Sequence, residues 1–181
     1  MILRKLTEWP SSKFLKISLI IGFALCIVVI PVMQYFTNLS GFPVDIFSSQ
    51  LSFNGNLMKS YYALTNIELY RIGPSLDYIF MIGYGIILFS SAVLIARRYK
   101  TSSAFQKVGF IFAISGVIAA VCDGIENVFI LAMLTDPIGF PNTWTIIHSV
   151  FALIKWIILF INITGIISIG ILSFFKREKN K

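Results

Sequence analysis

Residues Val108–Leu134 read VGFIFAISGVIAAVCDGIENVFILAML. The stretch is long enough to cross a hydrocarbon core of about 30 Å, which takes roughly 20 helical residues, yet it carries Asp123, Glu126 and Asn127 near its middle. Three more runs have the same length and apolar character: Ile17–Phe36, Ser75–Ala96 and Trp144–Phe175. None shows the alternation of a barrel strand, so each must satisfy its own backbone bonds as a helix. The expected fold class is an all-α integral membrane four-helix bundle, in one domain over residues 1–181. Composition agrees: 57% of residues are hydrophobic, 13% are charged, and the mean hydropathy is +0.85, far from an average soluble domain.

A net charge of +7 could suggest nucleic acid, but its distribution argues against that partner. Arg4, Lys5, Lys13 and Lys16 precede the first span. Arg97, Arg98, Lys100 and Lys107 separate the second and third, and Lys176, Arg177, Lys179 and Lys181 follow the fourth, whereas the other two connections hold only Lys59 and Arg71. This asymmetry predicts that both termini and the middle loop are cytoplasmic. It also predicts a multi-pass protein of the plasma membrane with anionic headgroups as partners of the basic residues. No small-residue cleavage pattern follows the first apolar run, so an uncleaved helix is expected. Ile2, Leu6 and Trp9 share a helical face, which predicts that the first dozen residues lie on the inner membrane surface as far as Pro10. Cys26 and Cys122 stand singly in different spans, which argues against a thiol oxidoreductase. With one His in the chain, no metal site is expected and no cofactor is indicated.

The outer connection 37–73 is too long for a plain loop and holds Phe42, Phe47, Phe53, Tyr61, Tyr62 and Tyr70. A short helix is expected in it, with either Leu57, Tyr61 and Leu64 or Met58, Tyr62 and Leu69 on one face. It would serve as an interfacial anchor or as a lid over a cavity. The turn 135–143, with Pro137, Gly139 and Pro141, is short enough to make the third and fourth helices antiparallel neighbours.

Buried charge singles out the candidate site. Asp123, Glu126 and Lys155 would together cost roughly 7–10 kcal/mol if exposed to lipid, so they must face protein or water. Asp123, Glu126 and Asn127 share one face of the third helix, and Gly116 and Ala120 continue it. Ile111, Ile118, Val121, Ile125 and Val128 form the opposite, lipid-facing side. His148, Lys155 and Asn162 recur every seven residues in the fourth span, as do Asp77, Tyr84 and Ser91 in the second. The first span has few polar residues and is expected to be peripheral. Asp123 lies eleven residues from Leu134, and Lys155 lies eleven from Trp144, each about 16 Å along a helix, so the two are expected to pair. Glu126, His148 and Asp77 come progressively nearer the outside, which outlines an outward-opening pocket. Two carboxylates share one lysine there, and a proton, a cation or a ligand must neutralise the surplus.

The runs Leu76–Phe80 with Tyr84, Asp123–Asn127 with Leu131, and Lys155–Trp156 resemble a family of small uncharacterised prokaryotic four-span membrane proteins. That resemblance implies the same span count and no activity. Three function classes follow from the residues themselves. One is a binding module, with Asp77, Tyr84, Asp123, Glu126, Asn127, His148, Lys155 and Asn162 around a small amphipathic or lipid-like ligand or a cation. A second is a lipid-modifying enzyme in which Glu126 or Asp123 moves a proton and Lys155 stabilises negative charge. A third is a scaffold or assembly protein whose buried charges only fix helix register. A proton-coupled transporter with so few spans would need to be a homo-oligomer.

Overall fold

The computed structural model describes residues 2–178. Lys179 and Lys181 lie outside the described residues, as do the side chains of Ile2, Lys176 and Arg177. Among the described residues seven helices follow in order: α1 (Ile2–Lys5), α2 (Ser12–Leu39), α3 (Ile46–Gln50), α4 (Gly55–Ala63), α5 (Ile67–Ala96), α6 (Ala104–Met133) and α7 (Asn142–Glu178). Among the described residues there is no strand. Four helices, α2, α5, α6 and α7, are long and apolar enough to cross a membrane, and the protein is an all-α multi-pass membrane bundle.

Side-chain caps set the starts of these helices outside the apolar runs. Ser11 accepts from the Phe14 amide, Asn66 from Leu69 and Ser103 from Gln106, each replacing a bond that the first turn cannot make within the helix. For this reason α5 begins at Ile67 rather than at Ser75. Pro74 lies inside it, and the additional turns carry Tyr70 and Gly73 into the bundle.

The long helices pack in chain order, α2 on α5, α5 on α6 and α6 on α7. Between α5 and α6 the contacts step regularly: a Cβ at Gly109 would lie 2.7 Å from Ala96 Cβ, and one at Gly116 2.8 Å from Leu88 Cβ. Only glycine permits that approach. Between α6 and α7 the register is equally regular and antiparallel. Thr145 donates to Met133 Sδ, Lys155 to Asp123 and Ser115 to Asn162 in descending order. Of the predicted lipid face of α6, Ile111, Ile118, Val121 and Val128 are exposed and Ile125 is half-buried; on α7, Ile146, Val150, Leu153, Ile157 and Ile161 are exposed.

The first spanning helix is peripheral, as its sequence suggests. Its buried residues, Leu15, Gly22, Cys26 and Val29, form one stripe against α5, where Gly22 and Gly83 meet so closely that a Cβ on Gly22 would stand 2.8 Å from the Gly83 carbonyl oxygen.

At the basic end, the expected surface helix through Trp9 is not formed. α1 stops at Lys5, Leu6 is buried in the core, and Trp9 is 71% exposed, so Leu6 and Trp9 do not share a face. The reason is a competing bond: Arg97 donates through Nε to the Leu6 carbonyl and through Nη1 to Ser12 Oγ, which turns the chain inward beneath the bundle. Tyr99 Oη donates to the Ile169 carbonyl and ties the short middle loop to α7.

Candidate functional site

The connection 37–73 does not lie flat on the surface. Trp156 stands fourteen residues below the start of α7, roughly 21 Å along the helix, and its Nε1 donates to Gln50 Oε1 at 2.8 Å. Phe47 packs on the same indole with ring centroids 4.6 Å apart, and the Phe53 amide donates to Ser149 Oγ. Helix α3 therefore dips into the bundle beside α7. Irregular backbone at that depth is tolerated only where protein or a cavity surrounds it, and Ser49 and Gln50 are indeed buried. From there the chain climbs to α4, whose Met58 and Tyr62 are buried while Leu57 and Leu64 are exposed. Of the two expected faces, the one bearing Met58 and Tyr62 turns inward, while its third member, Leu69, belongs to α5 because α4 ends at Ala63. That face packs on Tyr70, Ile130, Met133, Leu134 and Phe140.

Beneath this cap is a partly open cavity of about 110 Å³. Phe42, Ser49, Gln50, Met58 and Tyr62 of the connection line it from above, and Met33 and Thr37 of α2, Tyr70, Gly73 and Asp77 of α5, Asn127 and Ile130 of α6 and His148 of α7 complete it. Asp77 Oδ2 accepts from Asn127 Nδ2 at 2.6 Å. His148 is 1% exposed, and neither ring nitrogen closes a well-formed hydrogen bond, although the backbones of Ser49 and Glu126 lie beside the ring. The Tyr62 hydroxyl is also buried without a partner, and burial holds that phenol well above its ordinary pKa, so it stays neutral.

A second polar group lies below the cavity and does not line it. Lys155 Nζ is 2.9 Å from Asp123 Oδ1 and 2.6 Å from Glu126 Oε2. Tyr84 Oη donates to Asp123 Oδ2 at 2.9 Å, and Lys155 Nζ lies 5.2 Å from the centre of the Trp156 ring. Asp123, Glu126 and Lys155 are at most 3% exposed. This knot joins α5, α6 and α7 at one level, as the equal depths of Asp123 and Lys155 in the sequence require. Glu126 Oε1 alone has no partner in it. The Asp77 carboxyl faces Asp123 across the boundary between knot and cavity, so three carboxyls surround one ammonium.

The eight candidate residues thus fall into three places. Asp77, Asn127 and His148 line the cavity, Tyr84, Asp123, Glu126 and Lys155 form the knot, and Asn162 stands apart, accepting from Ser115 Oγ at 3.0 Å and donating to the Ile158 carbonyl. The residues that sequence reasoning missed are Gln50, Ser49 and Ser115. Gln50 did carry a signal, as a polar residue amid Phe47, Leu51 and Phe53 in a connection already marked as structured. Among the described residues, no group of three or more His, Cys, Asp or Glu could hold a metal ion. Comparison of the chain with protein-family models, with curated proteins and with solved structures finds no match.

Proposed function

We propose that this protein is a binding module of the plasma membrane that takes a small amphipathic or lipid-like ligand, or a cation, into the cavity under α3 and α4. The basic residues flanking α2, α5, α6 and α7 set the topology, which places the cavity in the outer half of the bilayer and both termini in the cytoplasm. Anionic headgroups meet the basic face.

The observation that carries this reading is the buried, unpartnered hydroxyl of Tyr62 at the wall of a cavity that also exposes Asp77 and His148. Burying a polar group without a partner costs about 1–3 kcal/mol, and a ligand or water in the cavity supplies the missing bonds. The knot supports a different role for its own members. Its charges are paired and lie behind the cavity wall, as expected of groups that fix the register of three helices. The enzymatic reading draws less support from this geometry, because Asp123 and Glu126, its proton carriers, are held by Lys155 away from the cavity.

Mass spectrometry of molecules that copurify in nanodiscs tests the proposal. The wild type is compared with Ser49→Leu, which adds bulk inside the cavity, and with a folded Asp123→Asn, Glu126→Gln variant. A specific molecule retained by the wild type and lost from Ser49→Leu is expected. Identical profiles in all three would leave the knot, and a purely structural protein, as the better account.

A further inference from the structure

We infer that the cavity selects an organic ammonium group, with Asp77 as its counter-charge and the rings of Phe42, Tyr62 and Tyr70 as its walls. The inference rests on the reading of the cavity as a ligand site and narrows the ligand to one chemical class.

Charge gives the sign. Among the described residues that line the cavity, Asp77 is the sole carboxyl, and there is no lysine or arginine among them to oppose it. Behind it, Asp123 and Glu126 share the single ammonium of Lys155. An anionic headgroup would meet uncompensated negative charge, whereas a cation reduces the surplus of three carboxyls over one lysine.

Shape and softness decide between kinds of cation. The cavity of about 110 Å³ exceeds the volume share of several waters at about 30 Å³ each, which is too roomy for a bare inorganic ion. Among the described residues there is also no group of three or more His, Cys, Asp or Glu to hold a metal ion. What they offer is aromatic surface. Phe42 stacks on Tyr70 with centroids 4.3 Å apart, Tyr62 stands 5.9 Å from Tyr70, and Phe42 and Tyr62 are separated by 6.1 Å. Aromatic rings gathered beside a carboxylate attract alkylated ammonium groups through the negative face of the π-system, at little desolvation cost because such cations are weakly hydrated. The unpartnered Tyr62 hydroxyl and the His148 ring then remain available to a polar atom adjoining the ammonium, such as a hydroxyl.

Equilibrium dialysis of the full chain in nanodiscs, with choline, its uncharged isostere 3,3-dimethylbutan-1-ol, and butyrate as probes, separates charge from shape. Choline should bind about tenfold or more tightly than the isostere, the factor expected of a desolvated cation–aromatic contact with a counter-charge. Asp77→Asn should abolish that preference while leaving the isostere's affinity unchanged. Tyr70→Phe should keep the preference and Tyr70→Leu weaken it severalfold, with thermal unfolding used to show that each variant is folded. Equal binding of choline and the isostere by the wild type, tighter binding of butyrate, or no binding of any probe would overturn the inference. The proposed function fails separately, when nothing copurifying is lost from Ser49→Leu.

Discussion

The knot and the cavity are built from the same kinds of residue, at neighbouring levels of α5, α6 and α7, and differ in one respect. In the knot the charges are paired: Asp123 accepts from Lys155 and Tyr84, and Lys155 also forms an ion pair with Glu126, whose Oε1 is left unbonded. In the cavity the Tyr62 hydroxyl has no partner, and His148 has only the Ser49 and Glu126 backbones beside its ring without a well-formed bond. Burial is similar in both, with Glu126 at 0% and His148 at 1% exposure, so exposure cannot account for the contrast. A paired buried charge opposes any motion that separates the helices holding it. An unpaired buried polar group lowers stability until something arrives to bond it. The first arrangement suits a joint, the second a site.

The comparison is most easily broken at Lys155. Lys155→Met removes the ammonium while keeping an unbranched chain of similar length, and it leaves Asp123 and Glu126 buried without their cation. Stability in mixed micelles should fall by about 3–5 kcal/mol, as measured by denaturant or SDS titration. Wild-type stability in that variant would show that the knot holds nothing together. Tyr84→Phe deletes one donor to Asp123 and leaves the ion pair in place, so the same titration should show a smaller loss, about 1–2 kcal/mol.

How much of this was legible in the sequence follows the same division. Pairing of Asp123 with Lys155 could be foreseen because both lie eleven residues from the outer ends of helices joined by a short turn, and helical rise turns a count into a depth. The seven-residue spacing that put Asn162 with His148 and Lys155 gives one angle around α7 but also separates successive members by about 10 Å in depth. Asn162 does share their stripe, but two turns below Lys155 it meets Ser115 instead. The cavity was less legible. Its roof depends on Gln50 meeting Trp156, residues 106 positions apart, in a connection with no long periodic run. Either face of α4 is apolar enough to turn inward, and the cluster of Tyr70, Phe140 and Met133, built from three other segments, is what receives the one bearing Met58 and Tyr62.

A milder substitution sharpens the contrast by its size. His148→Leu removes a buried imidazole that has the Ser49 and Glu126 backbones beside it but closes no well-formed hydrogen bond, so the empty protein should keep its stability to within about 1 kcal/mol. A loss approaching that of Lys155→Met would place His148 in the joint after all.

The smallest expected effect concerns how the cavity roof is held. Asp45 caps α3, accepting from the amides of Phe47 and Ser48 through Oδ1 and from the Ser48 hydroxyl through Oδ2. The Ser48 hydroxyl, aided by these amides, holds the Asp45 carboxyl below the usual carboxylate range. A carboxyl depressed in the folded state stabilises the cap fully above its ordinary pKa of about 3.9, and that contribution is lost as pH falls through the lower folded value. Asp45→Ala should therefore reduce the hydrogen-exchange protection of Ser49, Gln50 and Leu51 near neutral pH and leave the global unfolding midpoint in place. The difference from wild type should vanish in strong acid, where the wild-type carboxyl is itself protonated. Since α3 carries Gln50 to Trp156, a loss of protection spreading from α3 to α7 would show that roof and joint are one cooperative unit, and a loss confined to α3 would show that the roof opens while the knot stays closed.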